Sequence, residues 1–193
     1  MIKTELIEAM RACTECSIGR LGQRQNVVPG WLGTEATTPL LAVMCEAPGA
    51  QEDSTGRPLV GKAGQLFDRL LISAGLDRKN LLLMNRVRCR PTNNSLKAHP
   101  DALGKCDPWT VAELELYNPK VVVLMGATAM ENVFGTKVKV GPNRGVVRKT
   151  GPEFEYGERT WIGTYHPASL LRPGGQVNMP LVIADLALAK TFL

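Results

Sequence analysis

The 193-residue chain is short of imidazole and of aromatic side chains, with two histidines and aromatics at 5%. Any imidazole chemistry therefore falls to His99 or His166. Long apolar runs are missing as well. Val121 to Met125 and Leu81 to Met84 stop well before the ~20 residues that a membrane span needs, so no bilayer crossing is expected. The stretch Met1 to Met10 sets apolar residues at helical spacing with acids among them, which is not the pattern of a secretion signal. A cytoplasmic location is the expectation, and thiols there stay reduced and free to bind metal. The length is also short for two domains. At 44% hydrophobic and 21% charged, the chain suits one packed domain over residues 1–193.

Charge leans the other way, toward a surplus. The net charge of +5 and the pI near 9.1 suit a polyanionic partner through phosphate contacts and counterion release, and equally suit an ordinary solvated basic surface. Position adds information. Arg86, Arg88 and Arg90 alternate just past an apolar run. Lys137, Lys139, Arg144, Arg148 and Lys149 crowd a glycine-punctuated segment that reads as a hairpin.

Cys13 and Cys16 form a C-x2-C near the N-terminus, and Cys89 and Cys106 follow in what read as basic, proline-containing loops (Arg88-Cys89-Arg90-Pro91 and Lys105-Cys106-Asp107-Pro108). Thiolates at C-x2-C spacing chelate several soft metals, so the motif alone fits half a zinc site, a redox pair, an iron–sulfur ligand pair or two unrelated thiols. Cys45 stands apart from these four.

Leu40 to Cys45, Leu81 to Met84, Val121 to Met125 and Trp161 to Thr164 read as strands. Helices are expected at Ala63 to Ala74, Trp109 to Tyr117, Ala127 to Phe134 and Leu181 to Phe192. Alternation of this kind predicts a mainly parallel, four-stranded sheet with helices on both faces, a three-layer α/β/α fold. Ligands of such sheets bind at the carboxyl ends of the strands. Those ends carry Glu46-Ala47-Pro48-Gly49, Asn85, Gly126 and His166-Pro167.

Glu46-Ala47-Pro48-Gly49-Ala50-Gln51-Glu52-Asp53, followed by Gly56-Arg57-Pro58-Leu59-Val60-Gly61-Lys62-Ala63-Gly64-Gln65-Leu66, resembles the first motif block of the family 4 uracil-DNA glycosylases, the iron–sulfur branch of that superfamily. Asn85, Cys89-Arg90-Pro91, Cys106, Pro119 to Gly126 and Tyr165-His166-Pro167 through Arg172 continue the match in order and spacing across nearly the whole chain.

The resemblance implies a monofunctional enzyme that flips uracil out of single- or double-stranded DNA, hydrolyses the N-glycosidic bond and works as a monomer. It implies that Cys13, Cys16, Cys89 and Cys106 hold a structural [4Fe-4S] cluster. Asn85 is expected to read the amide edge of uracil, and His166 to donate toward O2 as charge builds there. Glu46 and Glu52 are the two carboxylates of the first block; Glu52 is favoured for the sugar and water side, with Glu46 either sharing that task or fixing its loop. Ala47 stands where the best-known branch of the superfamily has a water-orienting aspartate. Lys62 and Gly64 at a helix start, and Arg90, are expected to face phosphates. Leu170, Leu171 and Arg172 resemble an apolar wedge and phosphate anchor.

Two positions depart from that pattern. Leu59 replaces a phenylalanine that stacks on the flipped base, and Cys45 replaces a glycine, so both enter the uracil-binding set altered. They leave open a binding module that has lost efficient catalysis, or a glycosylase with a changed base preference. A further branch of the superfamily traps the sugar on a histidine, and His99 lies in the corresponding interval without the basic pattern around it.

Overall fold

Three five-residue runs, Leu41–Cys45, Leu81–Asn85 and Val121–Met125, are buried at every position, as strands covered on both faces must be. The structure, a computed structural model, describes residues 3–22, 24–33, 39 and 41–193. In chain order its elements are α1 (Lys3–Ala12), α2 (Ser17–Leu21), β1 (Trp31–Leu32), β2 (Leu41–Cys45), α3 (Ala50–Thr55), α4 (Lys62–Ser73) and β3 (Leu81–Asn85). Then come α5 (Ala102–Tyr117), β4 (Val121–Met125), α6 (Ala127–Phe134), α7 (Val140–Asn143), β5 (Val147–Thr150), β6 (Arg159–Thr164), α8 (Pro167–Leu170) and α9 (Met179–Lys190). Leu40, expected to begin the first strand, lies outside the described residues.

The sheet has the order β1-β3-β2-β4-β6-β5. Its inner four strands, β3, β2, β4 and β6, pair in parallel, as the strand–helix alternation predicts. Among the described residues there are six strands rather than four, because β1 and β5 close the two edges antiparallel. Neither edge announces itself in the sequence. The first is two residues long, and the second, Val147-Arg148-Lys149-Thr150, is basic and half exposed. The basic segment from Lys137 to Lys149 is thus not a hairpin of its own: it contains the turn of α7, and its strand pairs with β6.

Period-2 alternation divides the core. Leu41, Val43, Cys45, Leu83, Val123, Met125 and Ile162 pack with α4, α8 and α9 on one face. Ala42, Met44, Leu82, Met84, Val122, Leu124 and Trp161 pack with α5 and α6 on the other. Each fully buried leucine or valine here contributes roughly 1.5–3 kcal/mol of transfer free energy. A third cluster joins Leu6, Met10 and Ile18 to Val87 and Ala102, and encloses Cys16, Cys89 and Cys106.

One helix departs from expectation. α5 begins at Ala102 rather than Trp109, with Pro108 inside it, so Cys106 sits on a helix and not in a loop. Proline removes a single backbone bond and reads as a stop, but the buried face of Ala102, Cys106 and Thr110 carries the helix through it. Among the described residues, no helix is long and apolar enough to cross a membrane.

Candidate active site

The loops at the carboxyl ends of the four parallel strands surround one cavity of ≈ 550 Å³. Its walls include Cys45, Glu46, Ala47, Glu52, Leu59, Asn85, His166 and Arg172. The expected pocket residues are therefore brought together by the sheet. Residues adjacent in register, Cys45 on β2 and Asn85 on β3, reach it side by side.

Asn85 is 3% exposed and its Nδ2 has no hydrogen-bond partner among the described residues. An orphaned buried amide costs about 1–3 kcal/mol, and this one sits in the cavity wall. His166 caps α8, its Nδ1 accepting the Ala168 N–H at 3.1 Å. That bond fixes the tautomer: in the neutral ring the proton lies on Nε2. Burial pushes the imidazole pKa down to about 4, with Glu52 opposing and Arg172 adding to the fall. His166 is thus an uncharged donor at neutral pH.

The two glutamates differ. Glu52 accepts three backbone N–H groups, from Gly49 at 3.1 Å, Val60 at 2.9 Å and Gly61 at 2.8 Å. It ties the loop after β2 to the loop before α4. Among the described residues the Glu46 carboxylate accepts one bond, from the Thr128 hydroxyl at 2.6 Å through Oε2, which leaves Oε1 for the cavity. Thr128 escaped the sequence reading, although its position just past Gly126, at a strand end, was informative.

Leu59 is 6% exposed and holds φ = +54°, a left-handed conformation that costs a leucine roughly 1–2 kcal/mol. Its carbonyl explains Gly64. A Cβ at that position would lie 1.9 Å from the Leu59 oxygen, so Gly64, itself buried, serves close approach of α4 to this loop. Cys45 is 1% exposed, and burial, followed by the fields of Glu52 and Glu46, pushes its thiol pKa far up. It is a small, inert piece of wall.

On the rim, Lys62 and Leu171 are exposed and Arg172 reaches the cavity. Arg90 is half-buried and donates to Asn94 Oδ1 at 2.8 Å. Leu170, expected to be part of the wedge, is fully buried in the core beside α4 and α9. Leu171 alone is exposed, at 46%. Arg86 and Arg88 are likewise not a basic surface. Arg86 is 2% exposed and doubly bonded to Asp107, and Arg88 is 1% exposed and paired with Glu113. His99 is buried away from the cavity, with Nδ1 against Ser17 Oγ at 3.0 Å and Nε2 against Thr92 Oγ1 at 3.1 Å.

Cys13, Cys16, Cys89 and Cys106 line a second, small cavity with Met10, Arg24, Arg88, Lys105 and Trp109. Arg24 Nη1 donates to Cys89 Sγ at 3.5 Å, and the Arg88 N–H donates to Cys106 Sγ at 3.4 Å. Four soft donors among cations and N–H groups fit an anionic thiolate–metal group. Among the described residues, no group of three or more His, Cys, Asp or Glu side chains is placed to hold a single metal ion.

The family model described as Uracil DNA glycosylase superfamily matches residues 33–186. A Type-4 uracil-DNA glycosylase of Thermotoga maritima is 35% identical over 96% of this chain and 92% of its own length. Proteins of the same name from Archaeoglobus fulgidus and Sulfurisphaera tokodaii are each 32% identical, covering 86% and 88% of this chain and 82% and 74% of their own.

Proposed function

Because the chain belongs to the uracil-DNA glycosylase superfamily, we propose that it is a monofunctional uracil-DNA glycosylase, which takes uracil out of DNA, hydrolyses the N-glycosidic bond and leaves an abasic site for base excision repair. The observation that carries this reading is the convergence of Asn85, His166 and Glu46 on one cavity with an apolar wall. The whole chain acts as one domain and as a monomer.

Bond cleavage builds negative charge on uracil and positive charge on the sugar. Asn85 supplies an N–H donor for O4 and a carbonyl acceptor for N3–H. His166 offers Nε2–H to O2, and a preoriented donor of this kind stabilises the leaving base without carrying a charge of its own. Ala47 has no carboxyl group, so Glu46, with Oε1 free, is the group for the sugar and the attacking water. Glu52 is committed to backbone amides, so it supports the site by shaping both loops, and its fixed charge favours the cationic sugar. Leu171, Arg172, Lys62 and Arg90 are the side chains toward DNA, while Leu170 and Gly64 pack beneath them.

A single-turnover assay on oligonucleotides carrying one uracil, resolved on a denaturing gel before and after alkali, checks this. Alkali-dependent scission of the uracil strand is expected; an intact, cluster-loaded protein that leaves the strand whole would sink the reading. The rate is expected to stay level as pH falls through the ordinary imidazole range and to drop only near about pH 4, where His166 protonates. A second ring proton would face the Ala168 N–H, breaking the bond that aims the ring. Linkage runs the same way: the unfolded chain binds this proton near pH 6.5 and the folded chain only near 4, so the histidine's contribution to stability is lost as pH falls through that window. An acid limb centred near 6.5 would show that His166 does not work as a neutral donor.

The four cysteines are read as the ligands of a [4Fe-4S] cluster, the set of four thiolates such a group requires. Bound there, it would supply a cross-link between the α1–α2 segment, the loop after β3 and α5. Cys89→Ser is expected to lose iron–sulfur absorbance and cooperative folding together, followed by absorbance and melting. A colourless, stably folded variant with full activity would overturn the structural role.

A further inference from the structure

The loop from Pro58 to Gly61 crosses beside the cavity between α3 and α4, and its successive peptide groups are gripped from two sides. The carbonyls of Pro58 and Leu59 both accept from Arg78 Nη2, each at 2.8 Å. The N–H groups of Val60 and Gly61 both donate to Glu52 Oε1, at 2.9 and 2.8 Å. We infer that Arg78 and Glu52 form a clamp of opposite charges that holds Leu59 against the base, which makes Arg78 a specificity-determining positioning residue. The inference rests on the glycosylase reading and deepens it.

Leucine does not choose φ = +54° for itself. The conformation persists because the surroundings over-determine it: two carbonyls are drawn toward one guanidinium and two amides toward one carboxylate. Gly64 leaves room for the Leu59 carbonyl to point that way. Arg78 is itself pinned, with Nη1 on Asp68 at 2.7 Å and the guanidinium 5.8 Å above the Trp31 ring. Its planar fork reaches carbonyls and carboxylate at once, which a lysine cannot do. Arg78 lines a separate hollow with Trp31, Arg57 and Asp68 and does not border the substrate cavity. Whatever it does for the base, it does through the loop.

Without the clamp the Leu59 peptide is free to leave the left-handed region, and the side chain swings off the wall. The loss falls on apolar contact with the base, present in ground state and transition state alike, so KM should rise while kcat holds. For Arg78→Met we expect KM for a uracil-containing oligonucleotide to rise about tenfold, with kcat within about twofold. In a Leu59→Ala background the same change should add less than about twofold, because the side chain it positions is gone. A merely structural arginine would lower the active fraction, and so kcat, and would act equally in both backgrounds.

The four proteins are also titrated with uracil-containing and uracil-free oligonucleotides. If the wild type releases no uracil, the glycosylase reading fails, and coupling of the two substitutions in uracil-selective binding still upholds the clamp. Additive effects, in turnover or in binding, overturn it. Should Arg78→Met not fold, Arg78→Lys takes its place. That variant keeps the charge and loses the fork, and a KM rise of about threefold that vanishes with Leu59→Ala is expected.

Discussion

Asn85→Ala is expected to slow uracil release by about 10²- to 10³-fold, the usual consequence of removing one preorganised donor from a site where charge develops, and to leave the melting temperature unchanged or raised. The second half follows from the first observation about this side chain. Its Nδ2 is buried and finds no partner among the described residues, and a buried donor without a partner costs about 1–3 kcal/mol. Alanine removes that cost along with the function. A strand-end asparagine that merely capped a turn would behave in the opposite way, losing stability and keeping rate. Asn85→Asp should be as slow as the alanine variant, because it exchanges the donor proposed for uracil O4 for a second acceptor. Single-turnover rates and thermal melts on the same preparations separate the two pictures. A rate within tenfold of wild type, or a melt lowered by several degrees, would remove Asn85 from base recognition.

Three of the four parallel strands were legible because burial on both faces writes an apolar run into each, and β6 showed through Trp161-Ile162 at its centre; the strand ends then located the loops that line the cavity. The sheet edges were not legible, since β1 is too short to show a period and β5 is half exposed. Position along the chain also hides depth. Arg86 and Arg88 alternate like surface charges, yet they follow the buried run of β3 inward to Asp107 and Glu113. Leu170 and Leu171 are neighbours of one residue type, and the turn of α8 sends the first into the core and the second to the rim. Glu46 and Glu52 are equally acidic in sequence. Only the path of the Val60–Gly61 backbone reveals that the second is spent on amides.

The largest effect on stability is expected from Glu113→Ala. Glu113 and Arg88 are each 1% exposed and meet at 2.5 Å. Glu113 also accepts the Gly30 N–H at 2.6 Å, and Arg88 donates to the Arg86 carbonyl at 2.9 Å and to Thr110 Oγ1 at 2.8 Å. Burial pulls the Arg88 pKa down, and Glu113, together with Cys106 and Tyr156, more than offsets it, so the guanidinium remains charged. Truncating the glutamate strands that charge in the interior, which costs about 3–5 kcal/mol. For a chain of this size the melt should fall by roughly 6–20 °C. The damage should spread to the cysteines, because Arg88 precedes Cys89 and its own N–H bonds Cys106 Sγ. Iron at the proposed cluster site should be retained less well in parallel with the melt. The double replacement Arg88→Met with Glu113→Leu should recover much of the loss, since a buried ion pair is often no more stable than apolar groups of similar volume. A Glu113→Ala variant within about 1 kcal/mol of wild type would mean that water reaches the guanidinium and that the pair does not hold α5 to the end of β3.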